Sequence, residues 1–393
     1  MQYNFDEIIE RRGSDCIKYD AMKDFLGIDD VIPMWVADMD FKTPPFIVEA
    51  LKTRINHEVY AYSIRPKSYF ESIKNWLLRR HQWNVETEWM VFSPGVVPAI
   101  NIAVLAFTHF GDGIIVQPPV YFPFFHAATD HGRKLLYNQL IIRDGRLCMD
   151  FENLEALAKE GAKMLILSNP HNPAGSVWTK EELTQLATIC LKYDILVISD
   201  EIHCDLVLKP FSHVPLAGIS EAFSLNCITT IAPSKTFNLS GLSTSTIIIE
   251  NKEIRGKFVR TLDSMHIGLG NIAGNVASEA AYSFGDEWLN HLIDYLGDNA
   301  EFLYEFLENE IPEIEMLKPE ATYLVWLDCR KLGLSNEDLN TLFQKEARLG
   351  LNPGFMFGPG GDGFMRMNIA CPREVLKQAC NQLKSAVDYL KTK

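Results

Sequence analysis

The sequence predicts an α/β protein with a large domain around a mainly parallel central sheet and a smaller α+β domain. The chain has 393 residues, which is longer than one hydrophobic core normally organises. In its middle part, short apolar runs rich in β-branched residues alternate with segments of helical period. That pattern is typical of a parallel sheet covered by helices on both faces. After about Phe284 the pattern changes to long amphipathic segments, which indicates a second unit of different build.

The large domain is predicted from apolar runs that each stop at turn-forming or polar residues. The predicted strands are Gly113–Val116, Lys163–Leu167, Ile195–Ser199, Cys227–Ile231 and Thr244–Ile249. Between the second and third of them, Thr179–Tyr193 is a predicted helix. Thr179 can cap its N-terminus and Glu182 can complete a capping box.

The C-terminal part is predicted to form the smaller domain. Helices are expected over Glu287–Glu308 and Asn336–Arg348, around a strand at Thr322–Asp328 and a turn rich in Gly and Pro at Asn352–Gly363. The first residues have weak periodicity and are expected to pack against this domain. The predicted divisions are therefore an N-terminal segment 1–47, a large domain 48–284 and a small domain 285–393.

Charge and cysteine content exclude several classes of function. Arg and Lys number 37 against 51 Asp and Glu, a net charge of −14, which disfavours nucleic acid and anionic membranes as partners. No apolar run approaches the ~20 residues of a membrane helix, and Asp6, Glu7 and Glu10 stand where a signal peptide would be apolar. The eight cysteines are scattered without CxxC pairs or zinc spacing. We therefore expect a cytoplasmic protein with free thiols and no metal site.

Polar residues of special chemistry follow the predicted strands. In a parallel α/β sheet, ligands bind beyond the carboxyl ends of the strands. Four separate segments bring the aromatic ring of Tyr121, the amide of Asn172, the carboxylate of Asp200 and the amine of Lys235 to that edge. Upstream, residues 93–98 lead into an apolar helix, where free backbone N–H groups and the helix dipole form a phosphate site.

Pyridoxal phosphate (PLP) requires this combination of groups. A lysine amine forms a Schiff base with it and can later remove the Cα proton of an amino acid. A carboxylate facing the pyridine nitrogen keeps that nitrogen protonated, and an aromatic ring stacks on the cofactor. An arginine is also needed for the substrate carboxylate, and Arg366 stands at the start of an apolar strand.

Motifs along the chain resemble those of fold-type I PLP enzymes, which have the aspartate aminotransferase-like fold. They are HNPAG at 171–175, DEIH at 200–203, SKTFNLSG at 234–241 and FMRMNIA at 364–370. Three further segments resemble the MalY/PatB group of cystathionine β-lyase-like C–S lyases: IPMWVADMDF at 32–41, PGVVPAI at 94–100, and the opening from Phe5 to Asp20. The resemblance spans nearly the whole chain.

The resemblance implies a role for each matching position. Lys235 would carry the cofactor, with Asp200 opposite the pyridine nitrogen and Tyr121 stacked on the ring. The remaining implied contacts are Asn172 and His203 near the ring 3′-oxygen, Val96, Val97 and Ser234 at the phosphate, and Arg366 with the Ala37 backbone at the substrate carboxylate. Tyr62 matches a tyrosine that reaches the neighbouring subunit's cofactor, which implies a homodimer with shared active sites.

Two positions depart from the family pattern, and three have no assigned chemistry. Ala232 stands where many relatives have a serine, and Ser243 where aminotransferases commonly have an arginine, so phosphate contacts must be lost or replaced. Trp35, Asp38 and Asp40 mark the subgroup, but the sequence gives them no chemical role.

The resemblance implies a C–S β-lyase, which converts S-substituted cysteines such as cystathionine into a thiol, pyruvate and ammonia by α,β-elimination. An aminotransferase is the first alternative, because it would use the same residues and then reprotonate the cofactor instead of expelling a thiolate. A PLP-binding regulatory protein is the second alternative. The expected substrate in either enzyme is a small amino acid.

Overall fold

The computed structural model describes residues 3–392, and helices and strands occur along the whole of that range. The α-helices are α1 (Ile17–Asp20), α2 (Met22–Leu26), α3 (Pro45–Ile55), α4 (Lys67–His81), α5 (Val96–Phe107), α6 (Pro123–Thr129), α7 (Phe151–Lys159), α8 (Lys180–Lys192), α9 (Glu221–Ser224), α10 (Pro233–Thr236), α11 (Lys252–Ser264), α12 (Ile272–Phe284), α13 (Asp286–Glu310), α14 (Asn336–Thr341) and α15 (Arg373–Leu390). The strands are β1 (Ile32–Pro33), β2 (Met90–Ser93), β3 (Gly113–Val116), β4 (Lys134–Tyr137), β5 (Ile141–Arg143), β6 (Arg146–Cys148), β7 (Met164–Ser168), β8 (Leu196–Asp200), β9 (Cys227–Ile231), β10 (Ser245–Ile248), β11 (Glu315–Leu317), β12 (Leu324–Asp328), β13 (Leu349–Gly350), β14 (Asn352–Pro353) and β15 (Phe364–Asn368).

A mainly parallel sheet forms the centre of the larger part of the molecule. Within the described residues it has seven strands in the order β2-β10-β9-β8-β7-β3-β4. The pairs β9–β8, β8–β7, β7–β3 and β3–β4 are parallel, whereas β10 is antiparallel to both of its neighbours. Every residue of β7 and β9 is buried, as expected for strands covered on both faces. The predicted fold class is confirmed.

The five predicted strands of the large domain correspond to β3, β7, β8, β9 and β10, with bounds shifted by at most one residue. The helix predicted over Thr179–Tyr193 is α8. The Thr179 side chain accepts a hydrogen bond from the Glu182 amide, and the Glu182 side chain accepts one from the Thr179 amide. The predicted capping box is therefore present.

A second sheet lies in the C-terminal part of the chain. It is antiparallel, with the order β11-β12-β15-β14, and α13 and α15 contact each other beside it. The helix predicted over Asn336–Arg348 is shorter than expected, because α14 ends at Thr341 and a π-helical turn, Leu342–Glu346, follows it. From the N-terminal segment, β1 pairs in parallel with β13. The domain boundaries themselves stay a prediction.

Within residues 3–392, no helix is both long and apolar enough to cross a membrane.

Candidate active site

A cavity of about 850 Å³ opens at the carboxyl ends of the parallel strands. The site residues predicted from the sequence line it, with one exception, Tyr62. Those in the lining are Ala37, Val96, Val97, Tyr121, Asn172, Asp200, His203, Ser234, Lys235 and Arg366. Residues separated by more than 300 positions in the chain thus meet in one place.

The sheet topology accounts for this convergence. Asp200 is the last residue of β8, and Ser234 and Lys235 lie in α10 directly after β9. Asn172 follows β7, and Tyr121 follows β3. Because parallel strands end at the same edge, their following residues face a common space. Arg366 comes from the other sheet, in the middle of β15.

Lys235 points its amine toward the N-terminal segment. Its Nζ donates a hydrogen bond to the carbonyl oxygen of Ala37 at 2.7 Å. Burial, reinforced by the nearby positive charge of Arg366, lowers the lysine pKa to about 8, while Asp38 and Asp200 oppose this shift. A substantial fraction of the amine is therefore neutral, and nucleophilic, near physiological pH.

Asp200 is a buried carboxyl group with only weak neutral partners. Its Oδ1 accepts hydrogen bonds from the Ile202 amide at 3.2 Å and the Thr230 hydroxyl at 3.3 Å. Burial raises its pKa to about 7, against the lowering effects of those two donors and Lys235. A cationic ligand group beside Asp200 would remove this penalty, since an opposite charge favours the ionised form.

His203 presents an unused polar atom. The residue is buried, and its Nδ1 has no hydrogen-bond partner among the described residues. Burial, with further contributions from Lys235 and Arg366, lowers the pKa of the ring to about 3, so the imidazole is neutral. A buried polar atom without a partner is unfavourable, and a ligand oxygen in the cavity would satisfy it.

Arg366 is held in place on several sides. Its guanidinium donates to the Asn172 side chain at 3.1 Å, the Trp35 carbonyl at 2.8 Å and the Asn352 side chain at 2.6 Å, and it lies 4.9 Å from the centre of the Phe357 ring. Its Nε has no partner within residues 3–392. Burial lowers its pKa to about 10, which leaves it fully charged at neutral pH. The charge has no acidic partner among these contacts and suits a ligand carboxylate.

The cavity lining also offers hydrogen-bond donors from main-chain amides and from hydroxyl groups. The α5 helix begins at Val96, so the amides of Val96 and Val97 have no partner inside the helix. Ser234, Ser243 and Thr244 line the same cavity, and the buried Thr244 hydroxyl has no partner in the described part of the chain. Ser243 and Ala232, the two departures from the family pattern, both border this region. The donors are suited to a phosphate group.

Tyr62 lies outside this cavity. Its side chain is 94% exposed, and it lines a surface depression with Tyr60, Ile55 and Leu269. One chain by itself therefore does not bring Tyr62 to the other predicted residues.

The structure adds residues that the sequence did not indicate. Tyr323 is buried and donates from its hydroxyl to the Ala37 carbonyl at 3.0 Å. Asn352 binds Arg366, and Thr230 binds Asp200. These contacts join elements far apart in the chain, and no local motif marks them.

The donor set fits PLP. Among the described residues, Asp200 has no ion-pair partner closer than the nearby charge of Lys235, and His203 and Thr244 each have an unpaired polar atom, while the start of α5 offers free amides. These groups match a ligand with a protonated ring nitrogen, a ring oxygen and a phosphate. The amine of Lys235 lies in the same cavity.

Comparison with known proteins gives one consistent result. The model of the family "Aminotransferase class I and II" matches residues 29–383. Cystathionine beta-lyase PatB of Bacillus subtilis is 43% identical over 98% of this chain and 100% of its own length, and Protein MalY of Escherichia coli is 31% identical over 98% and 99%. The PLP-bound C-S lyase of Staphylococcus hominis superposes with a TM-score of 0.92, at 35% identity over 98% of each chain.

Proposed function

Because this chain belongs to the aminotransferase class I and II family, we propose that it is a PLP-dependent C–S β-lyase of the MalY/PatB group. It converts S-substituted cysteines into a thiol, pyruvate and ammonia. The resemblance inferred from the motifs is confirmed by the full-length similarity to PatB and MalY. The observation that carries the proposal is the convergence of Lys235, Asp200 and Arg366 in one cavity of a chain with these relatives.

PLP, when bound, supplies an electron-withdrawing ring that stabilises negative charge at the amino acid Cα. The roles of the site residues are part of the proposal. Lys235 would hold the cofactor covalently, and its amine in the free form would accept the Cα proton of the amino acid. Its lowered pKa supports this role, because a base needs a neutral form near the working pH.

The other residues orient the two ligands. Asp200 would keep the ring nitrogen protonated, and Asn172 and His203 would bind the ring oxygen. Tyr121 would stack on the ring, and the amides of Val96 and Val97, with the Ser234 hydroxyl, would hold the phosphate. Arg366 would bind the substrate carboxylate through its fork of N–H groups, with the Ala37 backbone as a further contact.

Both reactions use the same residues, so the site does not distinguish elimination from transamination. We propose elimination because the similar proteins are named as a cystathionine beta-lyase and a C-S lyase. The test is purified enzyme with cystathionine and no keto acid, scored for pyruvate. A lyase forms pyruvate continuously because it needs no acceptor. A transaminase stalls after one half-reaction and resumes when a keto acid is added, and that outcome would overturn the proposal.

A homodimer in the cytoplasm is the remaining part of the proposal. An exposed apolar group that includes Ile55, Val59, Tyr60, Tyr62 and Ile64 supports an interface, because such patches are normally covered. The eight cysteines are free thiols in the structure, which suits a reducing compartment. Size-exclusion chromatography with light scattering would test the dimer, and a monomer would contradict it.

A further inference from the structure

Residues 35–41, here called the strap, line the cavity with Trp35, Val36 and Ala37 and touch two of its functional side chains through main-chain oxygens. The Ala37 carbonyl accepts from Lys235 Nζ at 2.7 Å and from the Tyr323 hydroxyl at 3.0 Å. The Trp35 carbonyl accepts from Arg366 at 2.8 Å. A displacement of the strap would therefore change the surroundings of both Lys235 and Arg366.

Two asparagines tie the strap to the elements that carry those side chains. Asn238, three residues after Lys235, accepts from the Met39 amide at 3.0 Å and donates to the Met39 carbonyl at 2.9 Å. Asn368, two residues after Arg366, donates to the carbonyls of Val36 at 2.6 Å and Asp38 at 2.7 Å. The strap is thus hydrogen-bonded to the segments that follow Lys235 and Arg366.

Four charged residues, here called the ionic clamp, join the strap to the chain that precedes it. They are Arg11 and Lys18, which precede the strap, and Asp38 and Asp40, which belong to it. Arg11 contacts Asp38 at 2.9 Å and Asp40 at 2.6 Å, and it also donates to the Met39 carbonyl at 3.2 Å. Lys18 contacts Asp40 at 2.8 Å.

The clamp contains two cations and two carboxylates, and the Lys18 side chain is only 1% exposed. Taking such charges out of water is unfavourable, so buried ion pairs give little net stability and are better suited to fixing one conformation. Two of its members, Asp38 and Asp40, belong to the strap itself.

We propose that Arg11, Lys18, Asp38 and Asp40 are positioning residues, which hold the strap so that its carbonyl oxygens stay on Lys235 and Arg366. The Ala37 carbonyl stabilises the ammonium form of Lys235 by accepting a hydrogen bond from it, and it orients the amine when the amine is neutral. The contacts are present in the structure whatever reaction the protein catalyses. Their effect on catalysis rests on the proposed function.

The titration of Lys235 reports the position of the strap. The charged groups around the amine are Asp200 from β8, Arg366 from β15 and Asp38 from the strap. Loss of the Ala37 oxygen and withdrawal of Asp38 would lower the pKa of the amine, whereas water that enters beside a displaced strap would raise it by relieving the burial. A loosened strap therefore shifts the pKa of Lys235 away from its value in the intact protein.

The test measures how the acylation of Lys235 by limiting acetic anhydride depends on pH in the full-length, cofactor-free protein. The pH is varied between about 6 and 10, which includes the range in which lysines titrate. Mass spectrometry of the peptide that contains Lys235 gives the midpoint. Arg11→Lys keeps the positive charge but cannot donate in a fork to both carboxylates and the Met39 carbonyl. We expect its midpoint to shift from that of wild type by about half a pH unit or more.

Arg11→Gln separates positioning from simple electrostatics. Removing a positive charge acts by itself only in Arg11→Gln, where it raises the Lys235 midpoint, whereas loosening the strap shifts the midpoint in Arg11→Lys as well. If Arg11→Lys fails to fold, Asp40→Glu, which also keeps its charge but moves the carboxylate, takes its place. An unchanged midpoint in the folded charge-preserving variant overturns the proposal.

Arg146→Lys is the matched control. Arg146 also joins two carboxylates, Glu182 and Glu320, and donates to a carbonyl, that of Val177, at a similar exposure. It does not line the cavity, so the Lys235 midpoint should stay unchanged, and an equal shift in Arg146→Lys would also overturn the proposal. Because this test measures no turnover, a failed lyase assay would not affect its result. An unchanged Lys235 midpoint would likewise not affect the proposed lyase function.

Discussion

At the scale of single residues, the cavity holds two groups whose pKa values are displaced toward each other. Burial lowers the pKa of Lys235 to about 8 and raises that of Asp200 to about 7. Both shifts disfavour the charged forms that these residues would have in water. Displaced titrations of this kind, gathered in a cleft, are characteristic of functional sites.

The raised pKa of Asp200 predicts a pH-dependent stability effect in the cofactor-free protein. When the pKa of a carboxyl is higher in the folded than in the unfolded state, its protonation favours folding below the unfolded pKa. This stabilisation is lost as the pH rises toward 7. In urea unfolding at alkaline pH, the free energy of unfolding of Asp200→Asn should therefore exceed that of wild type by about 1 to 3 kcal/mol. The advantage should shrink in acid. An equal difference at both pH values would contradict the raised pKa.

Lys235 is predicted to be the residue that holds the cofactor covalently. Borohydride reduction of the purified holoenzyme should leave the phosphopyridoxyl group on the peptide that contains Lys235. Lys235→Ala should show neither this adduct nor turnover, because no other amine replaces it. Lys209→Ala, at an exposed surface lysine, is the control and should retain both. An adduct on another lysine would refute the assignment.

At the scale of elements, the start of α5 is predicted to hold the cofactor phosphate through its main-chain amides. Val96→Pro removes one N–H at a position where proline fits a helix, and Gly95 before it is extended. Charge-assisted hydrogen bonds contribute about 1.5 to 3 kcal/mol. We therefore expect PLP to bind about 10-fold to 100-fold more weakly.

The control for this change is Val96→Ala, which also shortens the buried side chain but keeps the amide. Equilibrium dialysis of PLP against each variant gives the dissociation constants. Equal affinities in the two variants would argue that the Val96 amide does not bind the phosphate.

The sequence predicts most strands of the large sheet, because buried parallel strands are continuous apolar runs with polar residues at their ends. It does not predict that β10 runs antiparallel, since strand direction depends on the chain between strands and leaves no local pattern. The contacts of Asp38 and Asp40 were missed for a related reason. Their partners Arg11 and Lys18 are 20 to 29 positions away and resemble ordinary surface charges in the sequence.

At the scale of the whole molecule, one chain leaves the predicted set of site residues incomplete. Tyr62 is 94% exposed beside the exposed Tyr60 and Ile64, whereas its predicted companions lie inside the cavity. A two-fold dimer would cover this apolar surface and could bring Tyr62 to the partner's cofactor.

Subunit exchange tests that arrangement. Tyr62→Ala and Lys235→Ala should each be severely impaired, but a mixed dimer contains one site with both intact residues. Random exchange of equal amounts makes about half of the dimers mixed, so activity should approach about a quarter of wild type. Mixtures no more active than their parents would remove Tyr62 from a shared site.

Elimination at a C–S bond is tested by counting the products formed per active site from cystathionine without any keto acid. We predict many turnovers, with thiol, pyruvate and ammonia formed in equal amounts and at the same rate. At most one turnover per site, with no thiol released and recovery only when a keto acid is added, would contradict the claim and identify a transaminase.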